Sequence, residues 1–513
     1  MSSRLKKIVL LLLAVALLAG VAQVQRSLNR DREQLGLTRM EPLENAPPIL
    51  AFTTVALGGF RGLISNWLWM RASELQDEDK FFEMAQLADW ITKLEPHFSQ
   101  VWVHQAWNMA YNISVKFKES APGEFPDRWR WVKRGIELLR DEGLRYNPND
   151  VLIHRELAWF FQHKMGASLD DANMYYKLLW KREMEAVLGK GPRPNFDELI
   201  HPTTDDQKQR AAVLRDKFKM DPKFMQELDE KYGPLDWRLP EAHAIYWAAA
   251  GMQKAKENPT KVNPDDLIQL RRAIYQDMLL SFQRGRVETN PFDPDGLDLG
   301  PNLDIIPKVN EAYEKNLGED EKYRYNIQNG QRNFLRQAIY SLYVNHRIPE
   351  AARWFKYLGE KYPDKTIIDD DTNSFPRNVT LDQFAVACVE TDINETSRDR
   401  VKTAIEGLLR NSYISLVLDQ DDRSAGLQLL AQKIWDTYKS KIPDERWGAI
   451  GLPPIKEIAR TVLDQMLDPE RGLPPQARAV LRTKLALPAE TAPAPAPPPA
   501  SPPTNAPAAG SQK

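Results

Sequence analysis

The sequence predicts an all-α chain built of helical hairpins, and three observations carry that reading. From residue 61 to residue 487 apolar side chains recur at spacings of three and four, the period of one helix face. Alternation at a period of two is nearly absent, with Ser412 to Leu418 the one stretch that reads as a strand. Of 513 residues, 42% are hydrophobic and 27% charged, which is ordinary globular usage and enough to build a core. The 69 Lys and Arg against 71 Asp and Glu leave a formal charge of −2, which excludes the basic field that nucleic-acid binding needs. One cysteine, Cys388, excludes an internal disulfide framework and a cysteine-based zinc cluster.

The first element, residues 1–25, reads as an export signal. Arg4, Lys6 and Lys7 precede an unbroken apolar run from Ile8 to Ala22. As a helix those residues reach about 23 Å, short of a hydrocarbon core of about 30 Å unless Val24 and snorkelling Lys7 and Arg26 extend it. The run passes directly into a charged helical segment, so a retained transmembrane anchor is the reading taken. Gly20-Val21-Ala22 keeps a cleaved leader open, which would make the body secreted or periplasmic. Val21 stands where a lipidated cysteine would have to be. The short N-terminus stays in the cytoplasm in this reading, and the body lies outside the cytoplasmic (inner) membrane. Residues 26–60 are a linker and membrane-proximal segment with a Pro-rich spacer, Glu41 to Pro48. A second apolar stretch, Ile49 to Met70, is broken by Gly58, Gly59, Arg61, Gly62 and Asn66, so it predicts a buried helix rather than a span.

Residues 61–188 then read as paired helices. Arg61 to Glu78 and Phe81 to Leu94 form the first pair, joined by Asp77-Glu78-Asp79. Leu94-Glu95-Pro96, Tyr146-Asn147-Pro148 and Lys361-Tyr362-Pro363 each end a helical unit. Leu157, Ala158 and Phe161 are followed by Ala172 and Tyr176, while Ala351 stands four residues before Phe355 and twelve before Pro363. Small residues at these positions let two helices approach, and the aromatic fills the gap to the next hairpin. In this spacing the chain resembles the tetratricopeptide-repeat family, which implies an α-solenoid. The resemblance covers about a third of the chain. His154 replaces that family's tryptophan, and Gln105 and Met109 depart from its leucine and tyrosine.

Residues 189–239 read as a polar insertion, 240–365 as a second helical repeat region, and 366–487 as a C-terminal helical region. Residues 488–513, rich in Pro and Ala, read as a disordered tail.

Motifs for chemistry are weak. Gly189-Lys190-Gly191 lacks the spacing of a phosphate loop, and the acidic loop around Asp293 to Asp298 has Pro291 and Asn302 where a calcium loop needs ligands. Asp369 to Asp371 and Asp419 to Asp422 read as solvated turns. The seven histidines form no ligand set, so neither a metal nor a cofactor is expected and no catalytic residue is assigned.

Tryptophan is the informative residue, with nine of fourteen between positions 67 and 180. The resemblance implies that helix-A positions two, five, nine, twelve and thirteen line a ligand groove. Here these are Gln100, Val103, Trp107, Ala110 and Tyr111, then Leu152, Arg155, Trp159, Gln162 and His163. A partner-binding groove of Trp107, Tyr111, Arg155, Trp159, Gln162 and His163 is therefore expected, mixing aromatic anchors with donors. The functional expectation is a membrane-anchored, extracytoplasmic scaffold for protein partners, with no enzymatic activity. The alternative is an envelope enzyme whose repeats recruit substrate to an active site within 190–487.

Overall fold

The computed structural model describes residues 3–34, 61–257, 262–288, 296–319, 323–368, 371–390, 398–443, 447, 451–469 and 471–488. Side chains at 3–11, 29, 32–34, 61, 319, 390 and 398–400 lie outside that description. So do most of the expected linker, the loop residues Asp293 and Asp295, Asp369 and Asp370, and the tail beyond Pro488. The fold is all-α apart from one two-stranded ribbon among the described residues. The chain divides into two compact units, Met1–Val101 and Trp102–Lys513.

In the first unit, helix α1 spans Ser3–Gln34, and its described apolar residues, from Leu12 to Leu28, are exposed. Among the described residues no helix is long and apolar enough to cross a membrane. The run expected to form the anchor, Ile8 to Ala22, lies within α1, and only its side chains up to residue 11 fall outside the description. Helices α2 (Arg61–Asp77) and α3 (Phe81–Leu94) pair through a turn at Asp79, whose φ of 57° lies in the left-handed region. Leu68, Ala72 and Leu75 of α2 and Met84, Ala88 and Ile91 of α3 are buried. Of the buried helix expected over Ile49 to Met70, residues 49–60 lie outside the described residues, and the rest is buried on one face only. Leu63, Trp67 and Met70, spaced four and three apart on the other face, are 64%, 60% and 61% exposed.

From the boundary onward, three helices each widen into a π turn, the first of them starting at the end of the first unit. Helix α4 (Ser99–Trp107) continues into Asn108–Ile113, α5 (Pro126–Glu137) into Leu138–Gly143, and α6 (Val151–Trp159) into Phe160–Gly166. Pro126 starts α5 where no intrahelical N–H is needed, and the Asp150 carboxylate accepts from the Ile153 N–H to cap α6. Helix α7 (Asn173–Leu188) follows. The segment 189–239 holds three short helices, α8 (Phe196–Ile200), α9 (Asp205–Asp216) and α10 (Pro222–Tyr232), which bury Phe196, Leu214, Met225 and Trp237.

Helix α11 (Pro240–Glu257) is the hub, packed against α6, the π turn after it, and α12 (Pro264–Arg284). Ala242, Ala244, Ala248 and Ala249 are buried along it, and Gly251 lies against His154 and Leu270; these small residues allow that close approach. Strands β1 (Arg286–Glu288) and β2 (Asp298–Gly300) pair antiparallel, with Val287 opposite Leu299. Helices α13 (Ile306–Glu319), α14 (Arg324–Val344), α15 (Ile348–Lys361), α16 (Leu381–Glu390), α17 (Arg398–Val417), α18 (Asp421–Lys441), α19 (Ile455–Met466) and α20 (Pro475–Lys484) complete the unit.

The expected strand at Ser412 to Leu418 is instead the end of α17. Ser412 and Ser415 are buried there; the Ser412 hydroxyl lies 2.8 Å from that of Ser424 on α18, and the Ser415 hydroxyl donates to the Asn411 carbonyl. Packing of α17 along α18 outweighs the short β-like alternation.

Two glycines test how tightly α18 is seated. A Cβ at Gly426 would run into the Val344 carbonyl, whereas one at Gly407 on α17 meets nothing within 4 Å. Gly426→Ala should therefore lower the urea midpoint of unfolding. Gly407→Ala should raise stability by about 0.5–1 kcal/mol through helix propensity alone.

Candidate functional site

The π turns decide which side chains of the expected groove meet. A helix closed by i→i+5 bonds turns less per residue, so residue i+4 stays on the side of residue i, as in an α-helix, while residue i+3 swings farther round. Trp107 immediately precedes the first π turn and Trp159 the third, so Tyr111 and His163 stand in line with them. The rings stack, Trp107 on Tyr111 at 4.3 Å between centroids and Trp159 on His163 at 4.5 Å with 11° between planes. The two stacks join where the Tyr111 hydroxyl and His163 Nδ1 lie 3.2 Å apart. Trp107 is 42% exposed and Trp159 39%, so the outer rings of this aromatic row face solvent.

Below the row sits a fixed cation. Lys164 Nζ lies 5.0 Å from the Tyr111 ring centroid and pairs with Asp170 at 2.5 Å, and Arg128 reaches the same carboxylate at 3.3 Å. Burial pushes the Tyr111 phenol well up, so the hydroxyl stays protonated. Burial also lowers the His163 pKa, helped by the Lys164 charge, so near neutral pH the ring is an uncharged stacking partner.

The other two expected residues point elsewhere. Arg155 lies four residues before Trp159, but its guanidinium is held by Asp266 at 2.5 Å and Glu156 at 2.6 Å, which ties α6 to the first turn of α12. Gln162, the i+3 position, is buried and donates to Asp277 Oδ2 at 2.8 Å. Ala110, at the equivalent position of the preceding unit, is fully buried too. The structure thus brings together Trp107, Tyr111, Trp159 and His163, and assigns Arg155 and Gln162 to structural contacts.

Gln162 leads into a buried polar knot with no motif in the sequence. Arg284 donates to Glu241 at 3.2 Å and to the Gly166 carbonyl at the end of the third π turn. Lys177, 1% exposed, donates to Asn173 Oδ1 at 2.8 Å and faces Glu241. Burial raises the pKa of both Glu241 and Asp277, for Asp277 together with the Glu241 charge, and Asp277 Oδ1 has no hydrogen-bond partner among the described residues. A buried carboxyl with one unpartnered oxygen is accommodated best when protonated. His243 nearby is fully buried and pushed down to about 4 by burial, hence neutral.

A separate open cleft of about 780 Å³ is lined by Arg140, Arg145, Lys219, Lys254 and Trp247 among others, over the buried His154 ring. Its charges are partly closed among themselves: Arg140 forks onto Asp141, and Asp221 caps α10. Among the described residues no three His, Cys, Asp or Glu side chains form a metal-binding group. Asp419 and Asp421 are exposed and share Lys484 at 2.6 Å and 2.8 Å. Compared with known protein families, characterised proteins and solved structures, the chain matches none.

Burial lowers the Lys177 pKa from 10.5 to about 8, against the pull of Glu241. Between those values the unfolded chain binds more protons than the folded one, so stability rises with pH through that window. Below pH 8 the burial penalty is present in full. Urea unfolding of the wild type and Lys177→Met from pH 7.5 to 10 should show the wild type gaining relative to the variant, by up to about 3 kcal/mol. A pH-independent difference would mean that Lys177 titrates normally.

Proposed function

We propose that the protein is a membrane-anchored, extracytoplasmic scaffold that holds protein partners through tetratricopeptide-like helical hairpins. The observation that carries this reading is the aromatic row Trp107–Tyr111–His163–Trp159, assembled from equivalent positions of two successive hairpins and presenting two tryptophans to solvent. Partly exposed rings, held rigid by stacking and backed by a fixed cation, lose little conformational freedom when a partner covers them. The apolar run from Ile8 to Ala22 and the exposed apolar residues of α1 support the anchor. The enzyme alternative would draw on Glu241 and Asp277, the most perturbed carboxyls of 190–487. Both are sealed in the core, which favours the scaffold.

Two measurements test the reading. Trp107→Ala with Trp159→Ala should abolish co-purification of the partner from membranes while helical content stays unchanged. Gln162→Ala should keep the partner but lower stability by about 1–3 kcal/mol, because it leaves Asp277 without its donor. Retained co-purification in the double tryptophan variant would sink the groove assignment. Deleting residues 1–25 should make the protein extractable from membranes by alkaline carbonate, whereas neither carbonate nor high salt should release the full chain.

A further inference from the structure

Helix α2 is apolar on two faces, and among the described residues only one of them packs on a partner. Ser65, Leu68, Ala72 and Leu75 form the buried face, turned to α3. Leu63, Trp67 and Met70 form a second row on the opposite side, each at least 60% exposed. A globular surface helix normally carries polar residues there, and rows of large apolar side chains left in water mark a surface that something covers.

Charge indicates what covers it. Between Glu44 and Glu74 the sequence contains no Asp or Glu, and its only charges are Arg61 and Arg71. A segment of that length with no acid and two arginines is compatible with an anionic phospholipid surface and lacks the acids that such a surface repels. Tryptophan is also the side chain that settles at the boundary between headgroups and acyl chains, with its ring in hydrocarbon and its N–H in the polar layer. Leu63 to Met70 covers about 10 Å of helix axis, so a helix lying in the plane could seat all three side chains within the 5–10 Å boundary layer.

We infer that the Leu63–Trp67–Met70 face of α2 docks on the bilayer surface, giving the first unit a membrane contact independent of α1. The hairpin lies along the membrane rather than through it. This goes beyond the anchor reading and does not require it, because the exposed row remains whether or not the N-terminal segment is retained.

The test uses the full chain with Cys388→Ser and one added cysteine, at Leu17→Cys, Trp67→Cys, Met70→Cys or Asp205→Cys, each carrying an environment-sensitive fluorophore. Positions 67 and 70 are exposed, so the substitutions remove no core packing. The proteins are mixed with vesicles of zwitterionic and anionic phospholipid, with or without brominated acyl chains. Labels at 67 and 70 should shift to the blue and be quenched by the brominated lipid, while the label at 205 reports water. Quenching at 67 and 70 without quenching at 17 would support the docking face while removing the anchor. Quenching at 17 alone would leave the anchor and overturn the docking face. Labels at 67 and 70 shielded from both brominated lipid and aqueous iodide would also overturn it, since a protein surface would then cover the row.

Discussion

Burying Lys177, Glu241 and Asp277 in one apolar core, with the half-buried Arg284 at its edge, constrains the helices around them. An unpaired charge in such a place is prohibitive, so each group needs a partner whose position is fixed to within a hydrogen bond. Arg284, at the end of α12, meets Glu241 in the first turn of α11 and the carbonyl of Gly166 after α6. Gln162 ties that same turn to Asp277 of α12. Three elements distant in sequence, the π turn after α6, α11 and α12, are thereby held in one register by directional contacts, where hydrophobic contact alone would tolerate sliding.

The same lock explains the candidate site. The third π turn places Gln162 inward and leaves a free carbonyl at Gly166, and both groups are used by the knot. Across the same turn His163 stacks on Trp159 outside while Gln162 faces inward. The buried network and the exposed aromatic row are therefore two faces of one helical irregularity. Lys164 extends the link, since it is buried against Asp170 while its charge sits beneath the Tyr111 ring.

Much of the fold was legible because helical periodicity is local. The pair α2 with α3 follows directly from spacing, and α14 with α15 falls in the region read as a second set of helical repeats, whereas α10 lies in what read as a polar insertion. The aromatic members of the site were legible for a related reason, because Trp107 and Trp159 occupy equivalent positions in two hairpins. What the spacing of an ideal helix could not supply was the π turn, which adds no residue type of its own yet rotates Gln162 out of the groove. The polar knot was equally hidden: Lys177, Glu241, Asp277 and Arg284 are spread over more than a hundred residues, and buried carboxyls carry no spacing signature. Ser412 to Leu418 failed in the opposite direction, its short alternation overridden by α18.

The surface electrostatics complete the picture of recognition. Many exposed ion pairs are internal to one helix, such as Lys93 with Asp89 and Lys254 with Glu257, and a near-neutral chain with locally paired charges projects little long-range field. Such a surface neither steers a charged partner from a distance nor discriminates strongly by charge on contact. Binding strength must then come from removing rings and apolar rows from water, which acts only at short range and scales with the area covered. Trp107 and Trp159 on one unit, and the Leu63–Trp67–Met70 row on the other, are among the places where the described surface offers that kind of contact.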